Sequence, residues 1–120
     1  MKVIDWFFDD GSEDPFRKMA KALTQDERFV SFLRETIDKV QLEIPEVKSK
    51  DVARRVARNR IFKAVSEAVE ASIIVFRPTD IIRTKVLSPE TQRMFYYRSR
   101  QDRLRACLML TDRAVRSIYG

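Results

Sequence analysis

A chain of 120 residues with two glycines, four prolines, one cysteine and no histidine reads as a single helical domain, since an all-β chain needs many more tight-turn glycines. The lone Cys107 excludes an intramolecular disulfide and fits a reducing compartment, so a cytoplasmic location is expected. The lack of histidine removes the commonest general base and, with a single thiol, excludes a structural zinc site.

The chain opens with Val-Ile-Asp-Trp-Phe-Phe from Val3 to Phe8, followed by acids. This apolar patch is short and broken by Asp5, so it does not read as a signal peptide. Residues 1–13 are expected to form an N-terminal arm, either a short strand or an aromatic anchor. Asp14-Pro15 then opens a helix, with Asp14 as N-cap and Pro15 at the first helical position. Phe16, Met19, Ala20 and Leu23 follow with helical spacing.

Thr24-Gln-Asp-Glu27 has the form of a capping box, so a second helix is expected to start at Thr24. Its apolar stripe is Phe29, Leu33, Ile37, Val40 and Ile44, and Pro45 ends it. A third helix is expected from about Ser49 to about Val75. Val52, Ala53, Val56 and Ala57 mark one face, whereas Ile61, Ala64, Val65, Ala68, Val69 and Ile73 mark a rotated one. Either a kink near Arg58-Asn59-Arg60 or a change of packing neighbour accounts for the difference.

The β-branched run Ser72 to Phe76, the turn residues Pro78-Thr79-Asp80 and the following Ile-Ile-Arg-Thr-Lys-Val-Leu suit a short β-hairpin over residues 72–87. A helix end followed by a short helix suits them equally. Ser88-Pro89 opens a last helix, expected to run almost to Gly120 with Tyr97, Leu104, Cys107, Leu108, Thr111, Ala114, Val115 and Ile118 on its apolar face. The fold class expected is therefore all-α, a small bundle of about four helices. The two long helices pack antiparallel in this reading.

Charge divides the chain. Residues 1–47 carry a net charge of −4 and residues 48–120 a net charge of +10. Such asymmetry points to an anionic partner or to contacts between copies. Arg54, Arg55, Arg58, Arg60 and Lys63 cluster on the third helix. Arginine forks match phosphate oxygens, and a helical row of them can follow a nucleic-acid backbone. A solvated helix face is the bland alternative. Arg98 and Arg105 extend the basic surface, with Arg116 on the same line. Arg98–Asp102 and Asp112–Arg116 have the spacing of neutralising ion pairs.

Arg100 falls on the apolar stripe, so it is expected to be buried against a carboxylate or placed at a subunit interface. Met94-Phe-Tyr-Tyr97, interleaved with Arg93, Arg98 and Arg100, either stacks bases or packs Phe95 and Tyr97 on two neighbouring layers. Trp6, Phe7 and Phe8 are anchor-type residues, ringed by acids, that suit an interface in a homo-oligomer.

No Gly-rich phosphate loop and no recognisable nucleophile turn is present, so no enzyme is expected, although a metal-dependent nuclease needs only acids and a lysine. The acids match no known metal loop, and neither a metal nor a cofactor nor a small-molecule substrate is expected. No apolar run reaches membrane-spanning length, so no membrane association is expected. The function expected is a basic accessory or architectural protein that binds nucleic acid through phosphate contacts. The alternative is a self-assembling subunit that sets its acidic aromatic arm against a basic face.

Overall fold

A computed structural model of the chain describes residues 14–44, 49–77, 79 and 83–120. Among these residues there are five helices and no strand: α1 (Pro15–Gln25), α2 (Glu27–Glu43), α3 (Lys50–Ile74), α4 (Pro89–Tyr96) and α5 (Arg100–Tyr119). None of the described helices is long and apolar enough to cross a membrane.

α1 begins where Pro15 presets the helical backbone. The Asp14 carbonyl accepts the first N–H bonds, but its side chain caps none of them. Met19, Ala20 and Leu23 are buried. The N-cap of α2 falls two residues beyond the expected one at Thr24. Thr24 lies in the last turn of α1, where its hydroxyl donates to the Lys21 carbonyl at 2.7 Å. Asp26 caps α2 instead, with Oδ1 accepting the N–H groups of Arg28 at 3.1 Å and Phe29 at 3.4 Å. Its Oδ2 accepts both the N–H and the hydroxyl of Ser88, each at 3.0 Å. A carboxylate can accept about four bonds where a hydroxyl accepts two, so the buried Asp26 joins the starts of α2 and α4 in a way Thr24 could not.

α3 runs unbroken through Arg58–Arg60. Its buried row is Ala53, Ala57, Ile61, Val65, Val69 and Ile73, every fourth residue. Each step of four overshoots a full turn by about 40°, so the row winds round the helix by about 200° over its length. The rotated faces seen in the sequence are therefore one continuous winding stripe. It lets α3 pack on both α5 and α2. α3 and α5 are antiparallel: Arg54 meets Gly120, Arg58 meets Asp112 and Glu70 meets Arg103.

Ser72–Ile74 form the last turn of α3, so the expected hairpin lacks its first strand. Helical burial of Val69 and Ile73 overrides the β-branched composition. Part of the expected hairpin, residues 78 and 80–82, lies outside the described residues. Leu87 is buried on the approach to α4, held by Thr84, whose hydroxyl donates to the Leu87 carbonyl and accepts its N–H. The buried Gln92 donates to the Ser72 carbonyl at 2.8 Å and so ties α4 to the end of α3.

The single last helix expected from Ser88 onward is two helices. α4 stops at Tyr96, and the Ser99 hydroxyl caps α5 by accepting the Asp102 N–H at 3.1 Å. The expected count of about four helices becomes five among the described residues for this reason. The core is shared by all five: Leu23 from α1, Phe29 and Leu33 from α2, Ile61 and Val65 from α3, Phe95 from α4, and Leu110 and Ala114 from α5.

Candidate nucleic-acid interface

The basic cluster on α3 does not form one free face. Arg54 reaches the end of α5, its Nη2 donating to the carbonyls of Gly120 at 3.2 Å and Tyr119 at 3.5 Å. Arg58 Nε lies 2.6 Å from Asp112 on α5. Arg60 Nη1 lies 2.7 Å from Glu43 on α2. These three arginines fasten α3 to its neighbours, and the acids beside Arg58 and Arg60 offset their charge.

Arg55, Lys63, Arg98 and Arg105 are different. All four are exposed, and none has a side-chain hydrogen bond or ion pair among the described residues. Arg93 and Arg116 share that condition. Arg105 and Arg116 are eleven residues apart, close to three whole turns, so they lie on one line of α5. With Arg113 and Asp112 they border a shallow groove of about 330 Å³ over Phe16, Leu108 and Met109. Arg98 precedes the Ser99 cap and belongs to the corner between α4 and α5 rather than to that line.

Neither of the expected i, i+4 pairs forms. Asp112 turns to Arg58 across the α3–α5 seam, and Arg98 sits off the helix that carries Asp102. Lys63 lines a second groove of about 470 Å³ between α2 and α3, together with Lys39, Arg60, Glu35, Glu43 and Glu67. Its mixed charge gives the groove as a whole no preference for an anion, so Lys63 offers an anion only its own exposed ammonium.

Arg100 is not buried. Its side chain is 76% exposed, with Nε 3.6 Å from Glu70. The restart at Ser99 makes it the first residue of α5, where a side chain reaches solvent. Arg103 takes the inward role instead. It grips Glu70 bidentately, at 2.6 and 3.0 Å, and donates to the Arg98 carbonyl at 2.7 Å. The two side chains are only 14% and 19% exposed. This pair joins α3 to α5, and sequence spacing could not reveal it because the partners lie on different helices.

Of Met94 to Tyr97, Phe95 enters the core and Met94 packs partly against it. Tyr96 and Tyr97 face outward, 37% and 67% exposed. Tyr97 therefore does not serve as the core residue expected of it. Phe76, Tyr96 and Tyr97 form a chain of rings: the Phe76–Tyr96 centroids are 5.1 Å apart, and Tyr96–Tyr97 are 5.2 Å apart at 90°.

Trp6, Phe7 and Phe8, the expected interface residues of the arm, lie outside the described residues. Cys107 is packed between α5 and its neighbours, and burial, reinforced by Glu70 and opposed by Arg103, pushes its thiol up to about 12. A thiol held protonated in this way is no nucleophile. Among the described residues no group of three or more acids or thiols is placed to hold a metal ion. Comparison of the chain with protein-family models, with curated proteins and with solved structures finds no match.

Proposed function

We propose that this protein binds nucleic acid through phosphate contacts made by Arg55, Lys63, Arg98 and Arg105, without base specificity and without catalysis. The observation that carries the reading is the state of these four cations. They stay exposed and have no side-chain partner among the described residues, on the half of the chain with net charge +10, while the neighbouring arginines are consumed by internal pairs. Arg116 and Arg93 extend the same set. Phosphate contacts of this kind release counterions, fix position and carry no sequence information.

Single substitutions test the assignment. Arg105→Ala should weaken binding by a similar factor on unrelated sequences and reduce the salt slope by about 1. Arg60→Ala should have a smaller effect, because Glu43 already offsets that charge. Equal effects of the two substitutions, or an unchanged affinity when Arg55, Lys63, Arg98 and Arg105 are all replaced by Ala, would overturn the assignment.

A further inference from the structure

We infer that Tyr96 and Tyr97 form a stacking platform for the bases of a single-stranded nucleic acid. The inference rests on the nucleic-acid reading above and adds to it the strandedness of the ligand.

The break between α4 and α5 creates the platform. Had the helix continued, Tyr97 would have lain on the apolar stripe that buries Cys107 and Thr111. Instead α4 ends at Tyr96, the chain turns at Tyr97–Ser99, and both rings emerge at the corner. Phe76 supports Tyr96 from beneath, itself buried at the end of α3. Tyr96 and Tyr97 meet edge to face. In such a pair one ring contributes an edge rather than a face, so an open π-face remains for a base.

The charge around the rings matches the ligand. Arg93 precedes Tyr96 by three residues, which puts the two on one face of α4, next to the turn that carries Tyr97. Arg98 follows Tyr97 directly. Both arginines are exposed and have no side-chain partner among the described residues. Aromatic faces beside free cations suit a strand that offers a base and a phosphate at each step. In a duplex the base faces are stacked on one another and are closed to such a platform. An apolar protein partner would have no use for the two arginines.

The test compares oligonucleotides of about 12 nucleotides, single-stranded DNA and RNA, with a duplex of the same length. Binding is read by fluorescence anisotropy at low salt. Tyr97→Ala removes the more exposed ring and leaves the Phe76–Tyr96 packing in place, with helicity checked by circular dichroism. It should weaken single-strand binding about 5- to 150-fold, and duplex binding by less than about twofold. Tyr97→Phe keeps the ring and should bind as the parent does. Loss with either polymer supports the platform, and the larger loss names the polymer it serves. An unchanged single-strand affinity in Tyr97→Ala, or a parent protein that prefers the duplex, overturns the inference and leaves the phosphate-binding reading standing. If neither strand nor duplex binds the parent protein at low salt, both fall together.

Discussion

Replacing Asp26 with Ala should be among the most damaging single changes outside the apolar core. The carboxylate caps α2 through Oδ1 and holds Ser88 through Oδ2, and it is buried. Loss of the cap alone costs about 1 kcal/mol. Loss of the charge-assisted bonds to Ser88 adds about 2 kcal/mol, because its N–H and hydroxyl both lose their carboxylate acceptor. The sum, about 3 kcal/mol, is a large share of the 5–15 kcal/mol typical of a domain. At about 2.1 cal/mol/K per residue the unfolding entropy of this chain is about 0.25 kcal/mol/K, so Tm should fall by about 12 °C. Asp26→Asn keeps the cap oxygen but turns an amide N–H toward Ser88, so its loss should be intermediate. Thr24→Ala removes one hydroxyl bond to Lys21 and should cost no more than about 1 kcal/mol. Thermal and urea unfolding followed by circular dichroism measures all three. If Asp26→Ala costs less than Thr24→Ala, the join between α2 and α4 described here is wrong.

Two further perturbations probe the α3–α5 seam. Glu70→Gln should destabilise by about 2 kcal/mol, because it leaves Arg103 shielded from water without its charge partner. Combining Glu70→Leu with Arg103→Met should recover most of that loss in a double-mutant cycle, and a double variant as unstable as the sum of the singles would refute this view of the pair. Cys107 should resist a maleimide at pH 8 until denaturant is added, and rapid labelling of the folded protein would contradict its burial. Its pKa is raised on folding from 9.0 to about 12, so the associated stability is whole below pH 9 and is lost as pH rises from there toward 12. Cys107→Val should make the fall in Tm across that alkaline range shallower, and an identical fall would refute the linkage.

Much of the fold is legible in local sequence, and the exceptions have identifiable causes. Pro15 and Pro89 mark true helix starts because their missing N–H and fixed φ suit that position wherever the helix later packs. The stripe of α2 is equally plain, since Phe29, Leu33, Ile37 and Val40 face one core. The competition between Thr24 and Asp26 is not local. Asp26 wins partly through Ser88, 62 residues away, which no neighbouring residue announces. The break before α5 did leave a local signal: Ser99 followed three residues later by Asp102 is the pattern of a capped helix start, hidden inside a long apolar periodicity.

The candidate site follows the same division. Its net charge is visible in composition, but which arginines remain free is decided by partners on other helices. Glu43 and Asp112 remove Arg60 and Arg58 from the surface set, and Glu70 draws Arg103 inward where the sequence pointed to Arg100.

The central claim, phosphate binding by exposed cations, is tested most directly by the salt dependence of affinity. With about four phosphates contacted, log affinity should fall linearly with log salt at a slope of about −4 on duplex DNA and about −3 on single strands. Binding that is absent at about 50 mM salt, or an affinity that does not change with salt, would contradict the account.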